Sequence, residues 1–226
     1  MGLGRTWMWD WVRHSRRGFG EDPSSLAISV GWQWLVDGKD YGNSRLRSAY
    51  VEYVAQISSP DMAMSLEAAE TVFQICEHLE PKRILDLGSG FSSFVFRLYS
   101  AQASHEPLVV SVDDSPEWLK RTERFLRQQE LPTTHLTSWE ALIEEPDGAF
   151  DLLFHDLGDM VTRARTLPTV LEMASSPSSV VLDDLHKRPY RRVVKRVSGS
   201  SGFRVVSLRD RTLDEYGRFS SVALLP

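Results

Sequence analysis

The chain is poor in cysteine: Cys76 is the only one among 226 residues. No internal disulfide can form, and a reducing compartment is expected. No apolar run is long enough to cross a membrane as a helix. The N-terminus lacks the apolar stretch of a secretory signal, so the expected location is cytoplasmic. Basic charge is not in surplus either. Lys and Arg number 26 against 31 Asp and Glu, a net charge of −5, which gives no global electrostatic case for a nucleic-acid partner. Repeats are absent. What is present, 42% hydrophobic and 25% charged residues, is a globular composition. The length suits one α/β domain, with or without an extension.

Tryptophan is unevenly spread. Trp7, Trp9, Trp11, Trp32 and Trp34 crowd the start of the chain, interrupted by Arg13, Arg16 and Arg17 and broken by Gly18, Gly20 and Pro23. Residues 1–60 are read as a Trp-rich extension with one helix, and residues 61–226 as the main domain. The rings are expected to pack on that domain, or to form a lid or a subunit contact, with a homodimer as the candidate assembly.

The main domain is organised around Arg83-Ile84-Leu85-Asp86-Leu87-Gly88-Ser89-Gly90-Phe91-Ser92-Ser93. A short apolar strand runs into a glycine turn and then a helical pattern. Gly88 and Gly90 permit close approach to the main chain, and the helix offers free N–H groups at its start. This is a nucleotide-site design. The dinucleotide pattern G-x-G-x-x-G/A is incomplete, since its third position is Ser93. Asp86 would repel a pyrophosphate and suits a ligand with an amino group.

Strands and helices then alternate. Leu108–Val112 is a buried strand closed by Asp113-Asp114, and Ser115-Pro116-Glu117 starts a helix. Asp113 is placed to accept hydrogen bonds from ribose hydroxyls. His135–Trp139 reads as a short strand, Phe150–Asp156 as the fourth, Ser179–Asp184 as the fifth. Phe203–Leu208 and Phe219–Leu225 close the chain. The alternation predicts a Rossmann-like α/β fold: a seven-stranded, mostly parallel sheet with helices on both faces and a C-terminal antiparallel hairpin.

Leu-Asp-Leu-Gly-Ser-Gly resembles the first motif of the class I S-adenosylmethionine-dependent methyltransferases. The resemblance covers about Ser65–Pro226. It implies S-adenosylmethionine as cofactor, bound by Asp86, Gly88, Ser89, Gly90, Ser92 and Asp113, with Asp86 and the glycines along its methionine part, Ser138 and Trp139 near adenine, and Asp156 as a further polar contact. The implied reaction is methyl transfer to a small-molecule acceptor.

Asp156, Asp183 and Asp184 end strands that are neighbours in the resembled fold. Three carboxylates in one place repel unless a cation sits between them. This set resembles the metal-dependent, catechol-type O-methyltransferases, which implies Mg²⁺ held by Asp156, Asp183 and Asp184 and an oxygen acceptor. Two departures stand out: the family's Asn is Asp184 here, and its lysine base is Asp159. The candidate catalytic residues are therefore His186, on the loop after the acid pair with Lys187 behind it, and Asp156. Strand alternation points His155 away from Asp156. Two other readings remain: a cofactor-binding protein without catalysis, and a dinucleotide-dependent oxidoreductase.

Overall fold

The computed structural model describes residues 43–145 and 148–225. The five N-terminal tryptophans lie outside the described residues. Local signals set most helix starts. α1 (Ser44–Gln56) is capped by Asn43, and α2 (Leu66–Leu79) by Ser65, whose side chains accept from Leu46 N and Ala68 N. α2 stops at Glu80 in the left-handed region, just before Pro81. β1 (Arg83–Leu87) then leads through the glycine turn into α3 (Phe91–Gln102). β2 (Leu108–Asp113) is followed by α4 (Pro116–Gln128), with Ser115 as cap and proline at its first position.

β3 (Leu136–Ser138) runs directly into α5 (Trp139–Glu144). β4 (Phe150–His155), α6 (Met160–Glu172), β5 (Ala174–Leu182) and α7 (Arg188–Ser200) come next. β6 (Arg204–Ser207), the single turn α8 (Arg209–Thr212) and β7 (Ser221–Leu225) complete the fold.

The sheet has seven strands in the order β3-β2-β1-β4-β5-β7-β6. β1, β2, β3, β4 and β5 pair in parallel, and β7 runs antiparallel to both β5 and β6. The expected architecture is the one found. The chain leaves β1 towards β3 on one side and returns at β4 on the other. The β1/β4 boundary is thus the switch point where ligands bind in such sheets.

Strand alternation divides the core between two faces. Ile84, Leu152, Phe154 and Val181 pack with α1, α2 and α3, through residues such as Tyr53, Phe73 and Phe94. Leu85, Leu87, Leu153 and Leu182 pack with α5, α6 and α7, through Trp139, Leu167 and Tyr190. Leu46, Ala49 and Tyr53 of α1, on the extension side of the expected 60/61 boundary, are buried in the same cluster as α2 and α3. Cys76 is buried there too, and burial pushes its thiol up, so it acts as a small apolar side chain.

Candidate functional site

The glycine turn is tied to both neighbouring strands. The N–H groups of Gly88 and Ser89 donate to Val112 O at 2.9 and 3.1 Å. Asp156 N donates to Leu87 O at 2.7 Å. Gly88 has φ +98, and a Cβ there would stand 2.4 Å from the Asp156 carbonyl oxygen. Only glycine allows this approach, so the turn after β1 and the end of β4 touch through backbone. At Gly90 a Cβ would lie 2.9 Å from the Tyr53 hydroxyl. Ser92 Oγ donates to Gly88 O at 3.2 Å and closes the turn.

Asp86 lies fully buried under this turn rather than open on a cleft. Its Oδ2 accepts from Ser93 Oγ at 2.5 Å, and its Oδ1 has no hydrogen-bond partner. Burial pushes the carboxyl up, against the hydrogen-bonding serines and the nearby Arg97. Arg97 is itself buried and donates to Ser111 Oγ at 2.6 Å and Thr134 O at 2.9 Å. Asp113, 5% exposed, accepts from Ser115 N at 2.9 Å and from Ser89 Oγ at 3.1 Å. Burial raises its carboxyl to about 6. The Tyr53 hydroxyl stands among these groups. Burial pushes its ionisation up, and so do the charges of Asp113 and Asp86, with Arg121 opposing. No local signal in the sequence marks Tyr53 as a residue of this site.

Ser138 and Trp139, the residues expected near adenine, stand at the junction of β3 and α5. Ser138 caps α5, accepting from Ala141 N at 3.2 Å. Trp139 is buried in the core face shared by β1, β2 and α6. Asp114 reaches across to the β4–α6 loop, where a Cβ on Gly158 would lie 2.6 Å from its Oδ2.

Beside the turn, a cavity of about 280 Å³ opens at the ends of β4 and β5, and Asp156, Asp183 and Asp184 stand in its wall. The structure brings the three acids together around a side chain. Arg163 Nη2 lies 2.5 Å from Asp156 Oδ1, and Arg163 Nη1 lies 2.9 Å from Asp184 Oδ2. Asp183 Oδ1 accepts from Ser220 Oγ at 2.7 Å and from Asp184 N at 2.8 Å. Burial pushes the Asp156 carboxyl up, with Arg163 opposing and the other two acids adding to the rise. Burial, then the charge of Asp184, pushes Asp183 up.

As they stand, the residues expected to hold Mg²⁺ do not fit it. Among the described residues no group of three or more His, Cys, Asp or Glu is placed to hold a metal ion. The reason is that a guanidinium from the start of α6 already stands between Asp156 and Asp184. Arg163 was missed in the sequence because pairing across strand ends leaves no local trace.

His186 is one side chain removed from the cavity. Its Nδ1 is 3.3 Å from Asp184 Oδ1, and it is Asp184 and Lys187 that line the wall. Burial lowers its pKa, with Asp184 opposing and Lys187 reinforcing, so the ring is neutral at pH 7. His155 points the other way, as alternation requires. It is fully buried between Tyr190 Oη at 2.9 Å and Thr166 Oγ1 at 3.0 Å, and burial lowers its pKa to about 3. Opposite the acids, Arg218 donates to the carbonyls of Pro60, Asp61 and Ala63 at 2.8, 2.7 and 3.0 Å while Asp214 holds its Nε at 2.6 Å. It latches the loop before α2 over the cavity.

The sequence matches no family model and no curated protein. Solved structures do share the fold. One is the O-methyltransferase from Bacillus cereus in complex with S-adenosylhomocysteine, at 13% identity and a TM-score of 0.61, covering 86% of this chain and 96% of that one. Another is the S-adenosylhomocysteine-bound methyltransferase PaMTH1 from Podospora anserina, at 15% and 0.61, covering 91% and 98%. A third is the O-methyltransferase TomG from Streptomyces achromogenes in complex with S-adenosylmethionine, at 16% and 0.59, covering 88% and 96%. The chain has the class I methyltransferase fold. On this methyltransferase fold the glycine turn and Asp113 lie on the β2 side of the switch point, and the acid-lined cavity on the β4/β5 side.

Proposed function

We propose that the protein transfers a methyl group from S-adenosylmethionine to a hydroxyl oxygen of a small acceptor. The observation that carries this reading is the backbone contact of Gly88 with Asp156, which sets a nucleoside-type site edge to edge with a cavity of acceptor size. The residues fit the cofactor. Asp113 is a buried carboxylate able to accept from ribose hydroxyls, and Asp86 keeps a buried oxygen without a partner beneath the turn. Gly88, Ser89, Gly90 and Ser92 shape the turn over which the cofactor would lie.

When bound, the sulfonium supplies an already activated methyl group, so the protein's tasks are in-line positioning and removal of the acceptor's proton. Asp184 faces the cavity and would receive the hydrogen bond of the acceptor hydroxyl. His186, neutral and in contact with Asp184, is the proton's destination. Asp156 supports the wall through Arg163.

A thermal-shift series tests the reading. S-adenosylhomocysteine should raise the unfolding temperature and NAD should not, and Asp113→Ala should abolish the rise. Stabilisation by NAD alone would turn the assignment towards an oxidoreductase. Labelled-methyl transfer to a panel of phenols and alcohols then identifies the acceptor.

A further inference from the structure

We propose that Arg163 is a built-in cation that takes the place of a divalent metal among Asp156, Asp183 and Asp184, so that the acceptor site works without one; this rests on reading the cavity as the acceptor end of a methyl-transfer site. The guanidinium spans the ends of β4 and β5, 2.5 Å from Asp156 and 2.9 Å from Asp184. Its Nε donates to Gly158 O at 3.3 Å, which leaves the side chain 9% exposed and held from three directions.

Two further oxygens of the cluster face other groups. Asp183 Oδ1 has two donors, and Asp184 Oδ1 faces His186. A divalent ion entering the cluster would meet a fixed positive charge within a few ångströms, and would have to expel it before the carboxylates could turn inwards.

The position of Arg163 supports the same conclusion. It sits in the first turn of α6, just after the Asp159 cap. A cation there opposes the helix macrodipole, so its placement is unfavourable without the carboxylates it meets. Those acids more than offset the effect of burial, and the guanidinium stays charged. An arginine differs from a metal in what it can do. It offsets the charge of Asp156 and Asp184 and holds Asp184 by a hydrogen bond at 2.9 Å. It does not take an acceptor oxygen into coordination, so two adjacent hydroxyls chelating one ion are not required. The site therefore suits an acceptor with a single ionisable hydroxyl, and Arg163 acts on it as a positioning residue.

Mn²⁺ alone is the probe, titrated into the full chain and followed by electron paramagnetic resonance, with neither cofactor nor acceptor present. Failure here is thus separable from failure of the methyl-transfer reading. The wild type should show no Mn²⁺ site that depends on these acids. Arg163→Ala should bind Mn²⁺ tighter than the wild type by about tenfold or more, since it frees a set of carboxylate oxygens. Adding Asp184→Asn should remove that gain. A wild-type site lost in Asp184→Asn overturns the proposal, as does an Arg163→Ala protein that is folded and gains nothing. If Arg163→Ala does not fold, wild-type unfolding in Mn²⁺ and in chelator decides. Equal midpoints are expected, and a rise with Mn²⁺ that Asp184→Asn abolishes refutes the idea.

Discussion

Replacing Asp113 with asparagine separates charge from shape at the end of β2. Burial holds this carboxyl at about 6, above its ordinary 3.8. An acid whose folded-state pKa is raised stabilises the fold while protonated; that contribution is complete below 3.8 and is lost as pH rises through 6. A shift of this size is worth about 3 kcal/mol, so at neutral pH the ligand-free protein carries an unfavourable buried carboxylate. Ribose hydroxyls donating to Asp113 would offset that cost, and they need its ionised form. Calorimetry of S-adenosylhomocysteine binding should therefore show a dissociation constant about tenfold higher at pH 5 than at pH 8. Asp113→Asn should flatten that profile and weaken binding at pH 8 by about tenfold or more. Its ligand-free form should be more stable than wild type at pH 7, by about 1–3 kcal/mol in denaturant titration. Other titrating groups are common to both proteins and cancel in the comparison. Identical pH profiles for the two proteins, or wild-type affinity in the variant, would refute the reasoning.

Three further changes probe the rest of the site. Gly88→Ala forces a Cβ to within 2.4 Å of the Asp156 carbonyl at φ +98, and should lower stability by about 3 kcal/mol or more, read from the urea midpoint. His155 is buried neutral with its pKa lowered to about 3. Its contribution is present above the ordinary 6.5 and is lost as pH falls towards 3, so between pH 6.5 and 4.5 the wild type should lose about 2–3 kcal/mol more than His155→Gln. Equal losses would show that the histidine is not the acid-labile group. His186→Gln should lower kcat for methyl transfer by about a hundredfold or more while leaving S-adenosylhomocysteine affinity unchanged; an unchanged kcat would remove it as the base.

The strands that carry the site were legible because each is an apolar run closed by an acid. Leu108–Asp113 and Phe150–Asp156 announce both a buried strand and the acid at its carboxyl end. β5 was read too short. Ser175, Ser176, Pro177 and Ser178 look like a loop, yet they continue the strand past a register shift between Phe150 and Leu152, the kind of irregularity at which a sheet tolerates proline. The single-turn α8 and the short α5 left no periodic signal. Asp113 could be placed from its position alone. The partners of Asp156 and Asp184 could not, because Arg163 looks like any helix-surface arginine until strands β4 and β5 are side by side. The same holds for Tyr53 and Arg218, whose targets lie tens to more than a hundred positions away.

The Arg218 latch has a consequence for how the protein is made. The glycine turn and Asp113 leave the ribosome well before Arg218, together with α1, α2 and α3. The loop at Pro60–Ala63 emerges earlier still, but the side chain that grips its carbonyls comes between β6 and β7. Between the emergence of Asp184 and that of Arg218, the nascent chain thus holds the three acids of the cavity without the side chain that latches its loop. Products broken off before Arg218 would keep Asp86 and Asp113 and lose both the latch and β7, the strand that covers β5. On the proposed reading such fragments would be poor methyl-transfer catalysts whatever cofactor affinity they retained, so the arrival of Arg218 and β7 would complete the wall of the cavity.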